Sequence, residues 1–359
     1  MKKIILITTL LFLCLAIITG CTNSKEEANK SANPNLITDP YERTEFLMGT
    51  VVTIKIYDEG KKDVLDPVFE RIKWLADHIT VNEEDAANSE VALVNEKAGI
   101  EPVKVSDDIY ELIVAGKDYS IKAEGSYDIT IGPLTNLWRI GYPDARKPEQ
   151  SEIDAALPLI NYQEVQLNPD EKTVYLPRKG MRLDLGSIAK VFIADETVEV
   201  LKEYDVTTSI IDLGGNIIVV GNNPRGKKWT VGIQDPDQEA ARGEIIGKIT
   251  ESDKSIVTSG IYERVLNIDG ESYHHLLDPK TGYPFNNDIA GVTIVSDKST
   301  DGDGLSTSVF SKGIKGGLQF IEQFEGVEAI FISHDHKVYI TPGLKGNFEI
   351  TNEEFELVN

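Results

Sequence analysis

The chain opens on Met1-Lys2-Lys3 and then an apolar run from Ile4 to Ile18, interrupted only by Thr8 and Thr9. That run is shorter than the roughly 20 apolar residues of a spanning helix. With the small pair Thr19-Gly20 behind it, residues 1–20 read as a cleavable export leader. Residues 21–42 are polar, include Pro34 and Pro40, and have little to bury; they read as a flexible tether. Beyond them the pattern becomes periodic. Val51 to Tyr57 is β-branched and predicts a strand. Val68, Ile72, Leu75, Ala76 and Ile79 recur at helical spacing from Asp66 on, and Val91, Leu93 and Val94 mark a second helical stretch within 85–97. Ser106-Asp107-Asp108 predicts the cap of a third helix running to Ala123 and stopped by Gly125; a fourth covers Ser187 to Tyr204. Strands are predicted at 207–212, 217–220, 228–233, 245–249, 255–258, 290–295, 329–333 and 337–340. A helix is predicted from Leu305 to Phe324 with a break near Gly316-Gly317. Helices gather early and strands late, which predicts an α+β fold rather than regular βαβ repetition. No linker or internal repeat divides residues 43–359, so they read as one unit.

Charge narrows the partners. A formal net charge of −23 lacks the basic footprint that nucleic-acid binding needs, so no nucleic acid is expected. A phosphate-rich ligand would have to be met by a metal, backbone amides and a few placed bases. The chain has two Cys: Cys14 falls in the leader, and Cys21 follows it directly. Ile18-Thr19-Gly20-Cys21 resembles the lipobox of bacterial lipoproteins, where the Cys sulfur takes a diacylglycerol. Lipidation of Cys21 would hold the protein on the extracytoplasmic face of the cell membrane. No thiol then remains for a zinc site, a redox CxxC or a nucleophile.

Six polar or glycine-rich clusters lie between the elements: Phe46 to Thr50, Gly125 to Trp138, Asp184 to Lys190, Asp212 to Asn216, Thr258-Ser259-Gly260 with His274 to Pro284, and Asp301 to Thr307. Asp184-Leu185-Gly186 reads as a tight turn into a helix whose first amides face an anion, with Lys190 about one turn in. An ordinary capped helix with a surface lysine explains that segment equally well. Asp303 and Thr307, four apart, share one face if helical and offer a carboxylate and a hydroxyl to a hard cation such as Mg²⁺; an N-cap aspartate with a solvated threonine is the simpler alternative. His275 beside a phosphate would donate a hydrogen bond or move a proton, although a structural histidine is the commoner case. HExxH, GxxxxGK[ST] and a completed GxGxxG are absent, which disfavours a zincin, a P-loop and a Rossmann domain.

Taken in this order, from about Phe46 to about Gly313, the clusters resemble the ApbE family of FAD:protein FMN transferases. The most specific pieces are Asp128 to Trp138, Asp184-Leu185-Gly186, His275 to Pro284, and Asp303 with Thr307. The resemblance implies an α+β domain of mixed helices and largely antiparallel sheets. It implies that FAD is the substrate, Mg²⁺ the metal, and the acceptor an exported or membrane-bound protein offering a Thr or Ser hydroxyl, with AMP released. By the same resemblance Met48, Ser126, Tyr127, Asp128, Asp184, Lys190, His275 and Leu276 (the last through its backbone) are cofactor-binding. Asp303, Thr307, Ser306 and Ser187 (through its carbonyl) are placed around the metal. His275 and Asp303 are the candidate catalytic bases. Asn82 is also placed at the cofactor by the resemblance, where many members carry an aromatic residue, usually Tyr. An amide cannot stack on a ring, which leaves open the balance between transfer and hydrolysis of FAD to FMN and AMP. A non-catalytic flavin-binding lipoprotein is the second alternative.

Overall fold

The computed structural model describes residues 33–81, 86–237 and 243–358. The leader, Cys21 and Asn82 lie outside them, as does most of the tether. Nine strands form one twisted sheet, and their spatial order follows the chain. They are β1 (Leu36–Leu47), β2 (Thr50–Asp58), β3 (Ser209–Leu213), β4 (Ile217–Val220), β5 (Lys254–Gly260), β6 (Ile289–Ser296), β7 (Glu328–Ser333), β8 (Lys337–Ile340) and β9 (Glu356–Val358). Neighbours are antiparallel except β8 and β9, which run parallel. Eight α-helices occur among the described residues: α1 (Leu65–Ile79), α2 (Glu90–Glu96), α3 (Asp107–Lys122), α4 (Gly132–Trp138), α5 (Gln150–Ala156), α6 (Gly186–Glu203), α7 (Ser299–Phe310) and α8 (Gly313–Ile321). None is long and apolar enough to cross a membrane.

The period-2 pattern decides which side chains go to which face. Ile54, Leu213, Val257, Ile294 and Phe331 point to the helical layer and its main core. Val219, Ile256, Val295, Ile330 and Ile332 point the other way, onto a three-stranded sheet of Trp229–Gln234, Ile245–Glu251 and Glu349–Ile350. β6 lies between the two cores, and all eight of its residues are buried. Within the helical layer the Arg71 guanidinium of α1 binds Asp108 of α3 at 2.6 and 2.8 Å and Glu196 of α6 at 2.5 Å, tying three helices together. A third, smaller core joins Leu134 and Trp138 of α4, Ile153 of α5, and Tyr273 and Leu277 beyond the main sheet.

Three expectations need correction. A strand, β1, starts at Leu36, inside the span 21–42 read as tether. β1 is an edge strand paired on one side only, so it tolerates Asp39, Pro40 and Glu42 in a way a central strand would not. The late helix begins at Ser299 rather than Leu305, and its break falls at Gly313, whose φ of +65° ends one helix and opens the next. Gly316 and Gly317 are helical. Ser106 occupies the N-cap of α3, but its hydroxyl makes no capping bond; its N–H instead donates to Glu90 Oε2 at 2.5 Å. The helical stretch expected within 85–97 is present as α2, preceded by a 3₁₀ turn, Ala86–Asn88, and capped by Ser89, which accepts from the Ala92 N–H at 3.0 Å. The helices α4 and α5 and the strand β1 were not apparent from periodicity.

Candidate active site

Helix α7 carries Asp303 and Thr307 one turn apart, so both project from one face. Its N-terminus is capped from outside. Asp195 of α6 accepts from the Ser299 N–H at 2.7 Å, the Thr300 N–H at 2.8 Å and the Thr300 hydroxyl at 2.5 Å. A helix end with its amides so satisfied is about 1 kcal/mol more stable than a bare one. Glycine on either side of Asp303 lets the helix sit close to its neighbours. A Cβ on Gly302 would come 2.3 Å from Val257 Cγ2, and one on Gly304 would come 2.6 Å from the Tyr119 ring.

The Asp303 carboxylate accepts from Ser259 Oγ of β5 at 3.4 Å. Ser259 also bonds Ser306 Oγ at 2.7 Å, and Ser306 donates back to the Asp303 carbonyl at 3.0 Å. Ser306 is fully buried, and both of its bonds hold the turn that presents Asp303. Burial pushes the Asp303 carboxyl up to about 6, against the pull of the Lys190 ammonium and the serine hydroxyls. Thr307 is half-buried beside it.

Asp184, Ser187 and Lys190 enter at the start of α6. The Ile131–Arg182 bridge holds the incoming segment, and Asp184 Oδ1 accepts from the Gly186 N–H at 2.9 Å, fixing the turn. Ser187 Oγ lies 3.4 Å from the Tyr127 hydroxyl. Burial raises the Tyr127 pKa, and the carboxylates of Asp303, Asp184 and Asp128 add to the shift, so the phenol stays protonated among them. Ser126 is buried and donates to the Ala123 carbonyl at 2.7 Å. Asp128 is inward-facing: one oxygen accepts from the Thr130 N–H and hydroxyl at 2.8 and 2.6 Å, the other from the Tyr162 N–H at 3.0 Å. Its carboxylate therefore shapes the loop that presents Ser126 and Tyr127.

The two adjacent histidines differ. His274 uses both ring nitrogens within the protein, Nε2 with the Phe285 carbonyl at 2.8 Å and Nδ1 accepting from the Leu276 N–H at 3.3 Å. His275 Nδ1 is enclosed and has no partner. Burial, then the nearby charges of Arg264, His274 and Lys190, lower its pKa to about 3, so the ring is neutral. Leu276 is buried, and its carbonyl accepts from the Phe285 N–H at 3.0 Å, leaving one lone pair of that carbonyl for anything else. The Trp138 Nε1–H donates to the Gly282 carbonyl at 2.8 Å and anchors the loop behind these residues to the small third core.

Lys190 thus acts electrostatically on both Asp303 and His275, and Ser187, one turn before it, meets Tyr127. Met48 stands apart, at the turn between β1 and β2, where Met48 and Gly49 have φ of 53° and 71°, the signature of a tight two-residue hairpin turn. That turn approaches the site through its neighbours. The Gly214 N–H donates to the Val51 carbonyl at 2.9 Å, and Asn216 Nδ2 donates to Ser299 Oγ at 3.0 Å at the head of α7. A cleft of about 510 Å³, lined by Ser126, Asp278, Lys280, Phe285 and Lys312 among others, opens beside the C-terminal end of α7, a size suited to a small molecule. Asp195, Ser259 and Tyr119 escaped the sequence reading, for their partners lie far along the chain; only the Thr258-Ser259-Gly260 punctuation hinted at Ser259.

Among the described residues no group of three or more His, Cys, Asp or Glu side chains converges as a metal cage. Oxygen donors from Asp303, Thr307 and the Ser187 carbonyl fit a hard cation that keeps positions for water and phosphate, as Mg²⁺ does. An enclosed imidazole nitrogen without a partner beside a lysine fits an anionic ligand in the same place.

Residues 48–331 match the ApbE family. The chain is 35% identical over 319 residues to a FAD:protein FMN transferase of Klebsiella pneumoniae, covering 89% of this chain and 97% of that protein. It is 31% identical over 334 residues to the FAD:protein FMN transferase of Treponema pallidum, covering 88% and 91%. The ApbE protein of Thermotoga maritima has the same fold, with a TM-score of 0.77 at 27% identity over 86% of this chain and 99% of that one. The flavin transferase ApbE from Vibrio cholerae superposes with a TM-score of 0.74 at 25% identity, over 85% and 98%. With sequence, fold and residue order in agreement along most of its length, this chain belongs to the ApbE family.

Proposed function

We propose that this protein is a FAD:protein FMN transferase that moves FMN from FAD to a Ser or Thr hydroxyl of a partner protein and releases AMP. The observation that carries the reading is that the Lys190 ammonium lies near enough to act on both the Asp303 carboxyl and the His275 ring, three residues from distant segments. Lys190 and the first turn of α6 bind the FAD pyrophosphate. Asp303 and Thr307, with the Ser187 carbonyl, hold Mg²⁺, and Ser306 braces Asp303 through the bonds described above. Bound there, Mg²⁺ would neutralise charge on the pyrophosphate. The acceptor oxygen attacks the FMN phosphorus, the bond from that phosphorus to the bridging oxygen breaks, and AMP carries that oxygen away. His275 accepts the hydroxyl proton. Its ring is neutral in the empty site, where burial first and the charges of Arg264, His274 and Lys190 second depress its basicity, and an anionic pyrophosphate would offset the second of these. Ser126, Tyr127 and Met48 line the path of the nucleotide. The rate gain comes mainly from positioning and charge neutralisation.

The leader and Cys21 support attachment of the mature protein to the outer face of the cell membrane by lipid, where an exported acceptor would meet it. Labelling with an alkyne fatty acid, lost in Cys21→Ala, tests that part. The activity is tested by mass spectrometry of an acceptor peptide incubated with the protein, FAD and Mg²⁺. A gain of one FMN, abolished by EDTA and by Asp303→Ala, is expected. AMP release from an unmodified peptide would replace transfer by hydrolysis, and no FAD turnover would refute both.

A further inference from the structure

The turn of α7 that bears Asp303 is gripped from two sides. On one side stand Val257, against Gly302, and Ser259, on the Asp303 carboxylate. On the other stands Tyr119 of α3. Its ring lies against the backbone at Gly304, where a Cβ would come 2.6 Å from both Tyr119 Cδ1 and Cγ. Its hydroxyl donates to Asp301 Oδ1. Tyr119 is 6% exposed, and the Lys122 ammonium sits 4.6 Å from its ring centroid, closing the outer side. Asp301 and Gly304 flank Asp303, so the tyrosine holds the turn both before and after the carboxylate.

A purely packing residue here would need only the ring, and phenylalanine would supply it. The hydroxyl adds a hydrogen bond whose acceptor is an acid two residues from Asp303, in a stretch where the glycines on either side of Asp303 bring the helix backbone close to Val257 and Tyr119. We infer that Tyr119 is a positioning residue: through Asp301 it sets the rotation and depth of the α7 turn, and so the direction in which Asp303 and Thr307 present their oxygens to a divalent cation. This rests on the reading that those two residues hold the metal.

The test measures binding rather than turnover. Mn²⁺ is titrated into the full chain with FAD present, and the free ion is counted by electron paramagnetic resonance against a protein-free blank. Tyr119→Phe keeps the ring on Gly304 and removes only the hydroxyl. About tenfold weaker Mn²⁺ binding is expected, the usual size when a group orienting a metal ligand is lost. Asp301→Ala should weaken binding as well, and the double variant should bind no worse than Asp301→Ala alone, because the hydroxyl acts through that acid. In turnover, the Mg²⁺ concentration needed for half-maximal rate should rise in Tyr119→Phe while the rate at saturating Mg²⁺ stays within about twofold. Unchanged Mn²⁺ affinity in Tyr119→Phe, or losses that add in the double variant, would overturn the inference. Asp303→Ala separates the two levels: if it binds Mn²⁺ as the wild type does, the metal reading itself fails, whereas its loss beside an unaffected Tyr119→Phe sinks only the role of Tyr119.

Discussion

Replacing Gly302 by alanine adds one methyl group to α7, and two effects of opposite sign compete. In an open helix the change stabilises by about 1 kcal/mol, because alanine loses less backbone freedom than glycine. Here the new Cβ would lie 2.3 Å from Val257 Cγ2 and 2.6 Å from Val257 Cβ. Val257 is 2% exposed on β5, between the sheet and the helical layer, so it has nowhere to turn. Even if its rotamer changed, its Cβ is fixed to the strand, and the helix must retreat by about an ångström to reach ordinary contact. Overpacking of this kind costs roughly 1–3 kcal/mol. The clash should win, leaving Gly302→Ala less stable by about 1–2 kcal/mol, read as a lower denaturation midpoint at unchanged slope. The retreat also draws Asp303 off Ser259, whose bond is already long at 3.4 Å, so FAD turnover should fall further than stability does. An alanine variant as stable as the wild type, with full turnover, would refute the claim that close approach at Gly302 sets the position of Asp303.

His275 makes stability depend on pH. Its folded pKa is lowered to about 3 from an ordinary 6.5, so its contribution is fully present above about 6.5 and is lost as the pH falls through that window. At pH 5.5 the unfolded chain gains up to about 1.4 kcal/mol from this group, and His275→Gln should flatten the fall in melting temperature between pH 7 and 5.5. His274→Gln loses the paired ring bonds to Phe285 and Leu276 and should cost about 1–3 kcal/mol of stability; if it is silent, His274 is not structural. Lys190→Ala should raise the KM for FAD at least tenfold and weaken its dependence on salt, checked by AMP release at two ionic strengths. Asp195→Ala, which uncaps α7 from another helix, should cost about 1–2 kcal/mol.

Local signals decided much of this protein. The β-branched runs, the 3.6-residue spacing and the glycine stops gave most strands and the long helices, because each is written in neighbours a few residues apart. Asp303 with Thr307, and Asp184 through Lys190, were legible as chemistry for the same reason: their spacing already places them on one face or one turn. Periodicity failed where the environment overrode it. β1 reads as polar tether and becomes a strand because the edge of a nine-stranded sheet offers it partners. α7 starts before its apolar stripe because a carboxylate 104 residues away satisfies its first amides. The sequence by itself determined which residue types and which local turns exist, and with them the α+β class and the acid–hydroxyl pair. Only the tertiary structure decided that Ser259 and Tyr119, 44 and 182 residues from the acids they bond, grip the same helical turn, and that His275 rather than His274 keeps an unclaimed ring nitrogen. Those distinctions depend on burial and on contacts between distant segments, and they come into being only when the sheet and the helical layer close on each other.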